Sequence, residues 1–455
     1  MSTSFFGDLL QTISDRGRAL LERTGARRTD AGTRSEDFVD LCEELLSGRG
    51  EASGVALARE ILNRYEELTT GPRIHFFEAL AQRFGPDRDQ LEAAIKAWQD
   101  APSDSTAMRL HEAAEPRRQE LFRRLNLAPG GTAGLVRMRE QLIDAMDHRE
   151  DLAVVDADFV HLFSSWFNRG FLVLRRIDWS TPANILEKII RHEAVHKINS
   201  WDDLRRRIDP ADRHCYAFFH PALIDEPLIF VEVALMRDIP GAIAPILTAH
   251  RESVDPEKAT TAVFYSISNC QRGLAGVSFG NFLIKQVVEE ISRDMPRLSN
   301  FVTLSPVPGF AEWLRRERQA EKSSALSQDD LEALTKLDVE RWWQRPDTRE
   351  GLEEPLRRAA AWYFLHARNR RGLPLDPVAR FHLGNGARLE QIHVLADGSD
   401  KGMSQSLGVM VNYLYDLDDI EKNHEAYAAN RTIAASNAVK KLARAAPGEV
   451  VPLAS

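Results

Sequence analysis

The sequence predicts an α+β protein: an all-helical N-terminal region, then a mixed-sheet domain that carries a helical insertion. Three observations predict it. Residues 1–150 repeat apolar positions three and four apart and show few strand signals. Beyond residue 170, runs rich in β-branched and aromatic residues alternate or turn continuously apolar. Between about residues 311 and 370 the helical period returns. The expected domains are therefore 1–170 and 171–455, with the insertion at about 311–370 inside the second.

The 455 residues suffice for two to three domains with a large core. A hydrophobic content of 43% and a charged content of 28% are those of a soluble globular protein. The net charge of −9 argues against general nucleic-acid binding, and no apolar run reaches membrane-spanning length. Cys42, Cys215 and Cys270 show no metal spacing, so a reducing compartment is expected. The first 28 residues are amphipathic, but Asp8, Asp15 and Glu22 speak against an organelle transit peptide. The end VPLAS is no peroxisomal signal. A cytoplasmic protein is expected.

In chain order, the helical pattern covers Asp37–Leu46, Val55–Leu68, Ile74–Phe84, Arg88–Trp98, Ala107–Leu127 and Gly134–Met146. Pro116 should split the fifth segment. Asp87 should cap the fourth, and Ser105 or Thr106 the fifth. An apolar helix within residues 151–175 then leads into an extended segment. Pro182 opens a further helix, which contains His192-Glu193-Ala194-Val195-His196. That is a literal HExxH, the spacing by which zinc peptidases place two imidazoles on one helical face. The helix ends near Asn199-Ser200, and His214, His220 and Glu226 offer no distinguished third ligand. A pair of structural histidines is the expectation. Cys215–His220 and Leu228–Met236 read as strands joined by a turn at Asp225-Glu226-Pro227.

Residues 260–310 carry the densest signal. Thr260–Ser268 alternates Val263, Tyr265 and Ile267 with Phe264, Ser266 and Ser268, as a strand does. Gly273, Gly276 and Gly280 break it, Ser278 is placed to cap, and Phe279–Met295 has an apolar helical stripe. Asn300–Leu304 is a second strand, which Pro306 and Pro308 should stop at Ser305. A glycine loop that feeds a helix N-terminus suits an anion, because unpaired amides and the helix dipole both favour negative charge. The loop matches neither a nucleotide P-loop nor a dinucleotide fingerprint. After it come helices at Phe310–Arg318, Gln328–Leu337, Val339–Trp343 and Pro355–Arg368, the last with Pro355 at its first position. In Asp376–Ala387, DPVARFHLGNGA, alternation suggests that His382 projects opposite Phe381 and Leu383, and Asn385-Gly386 marks a tight turn. Leu389–Val394 and Leu407–Tyr415 are strand candidates, and Ile420–Ala446 is helical.

QRGLAGVSFGNFLIK, LSPVPGF and DPVARFHLGNGA, in that order, resemble the malonyl-CoA decarboxylase family. The resemblance is close over residues 160–455 and looser before them. It implies a catalytic domain like the GNAT acetyltransferase fold, in which a strand–loop–helix cradles the pyrophosphate of coenzyme A. It implies decarboxylation of malonyl-CoA to acetyl-CoA and carbon dioxide, and a homo-oligomer, for which the helical domain is the expected surface. Ser305 matches the family's active serine and His382 its proton donor. Ser266 and Tyr415 match active-site polar positions. Ala275, Gly276, Val277, Ser278, Phe279, Gly280 and Asn281 match the acyl-CoA-binding loop. Ser278 departs from the pattern, since some members carry an acidic residue there, and this leaves a third catalytic carboxylate unassigned.

No cofactor is expected, because the thioester carbonyl itself takes the electrons released with carbon dioxide; coenzyme A belongs to the substrate. A histidine with a pKa near neutral can return a proton to the enolate. Acetyl transfer from acetyl-CoA to an amine would use the same loop, and a non-catalytic malonyl-CoA sensor would use the same pocket; the products distinguish the three.

Overall fold

The computed structural model describes residues 35–47, 51–277 and 283–444. The expected cap at Ser278, the first turn of the helix after it and the amphipathic N-terminal stretch lie outside the described residues. The chain forms two compact units. The first comprises Met1–Val173, Phe219–Pro227 and Gln271–Phe279; the second comprises Leu174–Phe218, Leu228–Cys270 and Gly280–Ser455.

Among the described residues, eight helices build the first unit: α1 (Ser35–Leu46), α2 (Glu51–Glu67), α3 (Thr70–Gln82), α4 (Arg88–Asp100), α5 (Asp104–Ala114), α6 (Arg117–Asn126), α7 (Gly131–Met146) and α8 (Ala153–Trp166). Pro116 separates α5 from α6, as its missing N–H and fixed φ require. Asp87 caps α4 by accepting from the Gln90 N–H. The cap of α5 is Ser103 rather than Ser105 or Thr106; Thr106 instead closes the capping box from inside the helix. Phe122 stacks on Phe159 at 4.1 Å between ring centroids, and Phe38 meets Phe76 edge-on at 4.8 Å. A buried ion pair, Arg118–Asp158, ties α6 to α8; Gln119 adds a 2.6 Å bond to the same carboxylate. The hairpin α4–α5 is different. Only Ala94 is buried in α4 and no residue in α5, while Ile95, Trp98 and Met108 are exposed.

The second unit is a mixed sheet with helices. Its strands are β1 (Val173–Ile177), β2 (Arg213–Phe219), β3 (Pro227–Met236), β4 (Thr261–Asn269), β5 (Asn300–Thr303), β6 (Ser305–Pro306), β7 (Arg388–His393) and β8 (Met410–Leu414). They lie in the order β1-β2-β3-β4-β5-β8-β6, with β7 also on β8. β3 and β4 are antiparallel and β4 and β5 parallel, joined by a crossover that contains α11. The helices are α9 (Ala183–His192), α10 (Trp201–Ile208), α11 (Leu283–Asp294), α12 (Phe310–Gln319), α13 (Gln328–Leu334), α14 (Glu353–His366), α15 (Pro377–Gly384), α16 (Asp400–Ser406), α17 (Ile420–Asn430) and α18 (Asn437–Arg444); one-turn pieces are unlabelled. The mixed sheet preceded by helices is the α+β architecture the sequence predicts. Helices α12–α14 are inserted between β6 and β7, two strands that both pair with β8, and they pack through Trp313, Trp362 and Tyr363. Among the described residues no helix is long and apolar enough to cross a membrane.

Several local expectations are corrected. α9 stops at His192, because Glu193 is extended, so His192 and His196 do not share a helical face. His382 lies in α15 and not in an extended segment; Asp376 caps this helix and Pro377 occupies its first turn. The ladder does not end at Ser305: Ser305 and Pro306 pair with Val411 and Met410, which Pro306 can do because sheet edges spare its missing N–H. Pro355 is third in α14, which starts at Glu353. The tail also breaks, between Asn430 and Asn437.

Asn385-Gly386 ends a helix instead of joining two strands. Gly386 has φ +83, and a Cβ there would lie 2.0 Å from the Ile420 carbonyl oxygen. Gly386→Ala combines left-handed strain with a backbone clash, so we expect it to cost about 2 kcal/mol or more. Calorimetry should show a melting temperature several degrees lower; an unchanged value would mean that the 384–420 backbone relaxes freely.

Candidate active site

Each functional side chain is aimed by a separate element of the second unit. The break between β5 and β6 at Leu304 sets Ser305, which is 5% exposed. Its hydroxyl donates to Thr303 Oγ1 at 2.8 Å, and the same Thr303 oxygen accepts the Tyr413 N–H at 3.2 Å. Thr303 and Ser305 stand two residues apart in extended chain and so share a face.

α15 delivers His382 from the other side. The Asp376 carboxylate accepts from the Ala379 N–H at 2.7 Å and fixes where the helix begins. His382 Nε2 lies 3.2 Å from Ser305 Oγ, and Nδ1 lies 2.7 Å from Tyr415 Oη. The ring stacks on Tyr413 at 4.5 Å. With the Ser305 proton given to Thr303, the serine oxygen accepts from Nε2–H, and Nδ1 accepts from the Tyr415 hydroxyl. Burial pushes the His382 pKa down to about 3 and pushes the Tyr415 phenol well above its ordinary value. The imidazole of the free protein is therefore neutral at physiological pH, which corrects the expectation of a near-neutral pKa.

Ser266 and Ser268 project from β4 toward Glu193, which follows the end of α9. Ser266 donates to Glu193 Oε2 at 2.7 Å, with Ser268 at 3.4 Å. Glu193 Oε1 accepts the Val195 and His196 N–H groups, each at 2.7 Å. The carboxylate of the HExxH stretch thus caps its own turn and braces β4. Burial holds His196 down at about 4. Among the described residues no group of three or more His, Cys, Asp or Glu side chains is placed to hold a metal.

These elements enclose a cavity of about 280 Å³. Ser266, Ser305 and His382 line it, with Asn269 and an otherwise apolar wall that includes Val195, Phe264, Leu304, Val378 and Phe381. Among the described residues, no cationic side chain lines the cavity. Tyr415 stands behind His382 and is not part of the lining. Ala275, Gly276 and Val277 follow a one-turn helix, Arg272–Leu274, in the first unit. There Gly273 is packed so closely that a Cβ would meet the Val136 carbonyl oxygen at 2.0 Å, and Arg139 bonds the Gly273 carbonyl at 2.8 Å. Ser278, Phe279, Gly280 and Asn281 lie outside the described residues. Sequence reasoning missed Thr303, Tyr413 and Glu193. Thr303 was readable, since strand alternation puts it beside Ser305; Glu193 was noticed only for a metal that its own turn cannot hold.

Comparison with known proteins follows the same lines. Residues 170–451 match the family model of the malonyl-CoA decarboxylase C-terminal domain, and residues 84–167 that of its N-terminal domain. The mitochondrial malonyl-CoA decarboxylase of Anser anser anser is 37% identical over 416 residues, which is 84% of this chain and 82% of that protein. The Mus musculus protein of the same name is 35% identical over 406 residues, 81% of each. The crystal structure of malonyl-CoA decarboxylase from Rhodopseudomonas palustris superposes with a TM-score of 0.88 at 58% identity, covering 90% of this chain and 100% of the other. That from Cupriavidus metallidurans gives 0.70 at 36% identity, covering 90% and 99%. The chain belongs to the malonyl-CoA decarboxylase family.

Proposed function

We propose that the cavity between β4, β6 and α15 is where malonyl-CoA loses carbon dioxide, and that His382 protonates the resulting enolate with Ser305 assisting. Family membership carries the overall reaction, malonyl-CoA to acetyl-CoA and carbon dioxide. The observation that carries the site is the 3.2 Å contact between Ser305 Oγ and His382 Nε2 inside that cavity. The two residues are 77 positions apart in the chain.

The chemistry uses groups already named. Cleavage of the bond to the carboxylate leaves its electron pair in the thioester carbonyl, so no cofactor is required as an electron sink. The enolate oxygen needs a donor, and preorganised donors usually contribute most to catalysis of this kind. Ser305 Oγ–H and His382 Nε2–H supply it by turning from their neutral partners, Thr303 and Ser305, to the enolate oxygen. One solvent proton enters per turnover, and carbon receives it. The neutral ring acquires that proton with the substrate: the malonyl carboxylate brings a negative charge into an apolar cavity, which raises the pKa of an adjacent imidazole. Tyr415 holds the ring through Nδ1. The loop from Ala275 to Asn281 binds the coenzyme A tail, and Ser266 faces the acyl head. The same reading sets the protein in the cytoplasm, where three buried cysteines that form no disulfide among the described residues are at home. It also includes self-association through the helical unit, for which the exposed Trp98 and Met108 of the α4–α5 hairpin speak, at 42% and 61% exposure.

Three outcomes are expected. Ser305→Ala and His382→Ala each lower the rate of acetyl-CoA formation, assayed with no metal added, by about 10²-fold or more. Wild-type rates in either variant would reject the assignment. Malonyl-CoA binding to Ser305→Ala takes up close to one proton, read by calorimetry in buffers of different ionisation enthalpy, while acetyl-CoA takes up none. Because the bound ring holds more protons than the free one, malonyl-CoA affinity strengthens as pH falls through the bound ring's pKa toward the free ring's value of about 3. Equal uptake for both ligands would mean that the ring does not answer the acid head. Finally, Trp98→Glu with Met108→Glu reduces the particle mass seen by light scattering; an unchanged mass would exclude the hairpin as the contact.

A further inference from the structure

We propose that Glu193 is a positioning residue for Ser266: it holds the serine proton, so only the oxygen lone pairs of Ser266 face the cavity, and the substrate's acid head is turned from β4 toward Ser305 and His382. The inference rests on the cavity being the malonyl-CoA site.

A serine hydroxyl has one proton and two lone pairs. The proton of Ser266 is committed to Glu193 Oε2 at 2.7 Å. Ser266 is 2% exposed and lines the cavity, so what it offers a ligand is an acceptor. A carboxylate is also acceptor-only, and two acceptors in contact repel. The opposite wall differs in what holds its protons: Ser305 gives its proton to the neutral Thr303 hydroxyl and His382 Nε2–H to Ser305, acceptors that an incoming carboxylate outcompetes, whereas the Ser266 proton is held by a carboxylate. The cavity therefore has a donor wall and an acceptor wall. An acid head between them has one favourable orientation, with its departing carboxylate and its carbonyl both referred to Ser305 and His382. Orientation of this kind changes the rate of the chemical step more than it changes binding.

Glu193 is well placed to fix that polarity. Its Oε1 is occupied by two backbone N–H groups, so its Oε2 has a single orientation. The turn it caps is gripped independently. Arg207 donates to the His196 carbonyl at 2.8 Å and to the Lys197 carbonyl at 3.2 Å, and Lys401 donates to the Ala194 carbonyl.

Glu193→Gln is the direct test. The amide oxygen keeps the two N–H bonds, while the amide nitrogen donates to Ser266 Oγ and releases the serine proton into the cavity. The acid head then finds a donor on the wrong wall. We expect kcat to fall about tenfold with KM for malonyl-CoA unchanged or lower, the signature of tighter but misplaced ground-state binding. In a Ser266→Ala background the same substitution should change kcat by less than about twofold, because its effect runs through the serine. Equal losses in both backgrounds would show that Glu193 only supports its turn, and would overturn the proposal; so would a raised KM with kcat preserved. Should Glu193→Gln fail to fold, Ser266→Ala alone decides. A lower kcat without a raised KM supports the proposal, and a raised KM with kcat preserved means that Ser266 donates to the substrate and ends it. Failure of the underlying reading looks different: the wild-type protein would then form no acetyl-CoA, or Ser305→Ala and His382→Ala would turn over normally.

Discussion

Thr303 fixes where the two halves of the site meet. Its side-chain oxygen takes the Ser305 hydroxyl and the Tyr413 N–H, and its carbonyl takes Asn412 Nδ2 at 2.9 Å. Asn412 is fully buried and also engages the Pro240 carbonyl and His393 Nε2. One residue of β5 thus locks β8 by its side chain and its backbone together. From β8, Tyr413 supplies the surface on which the imidazole stacks and Tyr415, just past its end, the hydroxyl that holds Nδ1. A shift of β8 by one residue would turn Tyr413 and Tyr415 to the opposite face and leave His382 without either contact.

What was legible in the sequence follows the range of the forces involved. β4 was readable because Val263 and Tyr265 bury against the core on one face while Ser266 and Ser268 turn to the other, and alternation is a local record of that. The split at Pro116 and the cap at Asp87 were readable for the same reason. α15 was not, because eight residues hold barely two helical turns, and Phe381-His382-Leu383 imitates a strand over so short a span. Its start signals, Asp376 then Pro377, were present in the chain and outweighed the alternation in fact. The fate of Glu193 was illegible in principle: its helix ends early because a serine 73 positions away claims its carboxylate. The approach of Ser305 to His382 is likewise a tertiary fact. Only the resemblance of the two motifs to one family joined them in advance.

The electrostatics of the cavity bear on the reaction in one direction. A carboxylate brought among Phe264, Leu304, Val378 and Phe381 loses its water and meets no cationic side chain among the described residues of the lining. In the proposed mechanism, conversion to neutral carbon dioxide removes the charge that is costly there and moves it to the thioester oxygen, which Ser305 and His382 are proposed to stabilise. The ordering of costs matters. An Arg or Lys that met the carboxylate alone would bind malonyl-CoA more tightly in its ground state and raise the barrier to losing the carboxylate by the same interaction, whereas in the proposed mechanism the His382 proton passes on to the enolate.

A neutral, deeply buried imidazole suits this scheme better than a permanent imidazolium. Held at a pKa of about 3 by burial, His382 carries no charge that would attract ions into the empty cavity. In the proposed mechanism it becomes cationic only when the acid head supplies the opposing charge, and it loses that charge when the enolate is protonated. The positive charge then exists only while there is an anion to stabilise, and the product, which lacks the carboxylate, leaves a site that has returned to neutrality. Charge that appears and vanishes with the substrate is thus a consequence of burying a histidine between a tyrosine hydroxyl and a serine hydroxyl, with no formal charge on either neighbour.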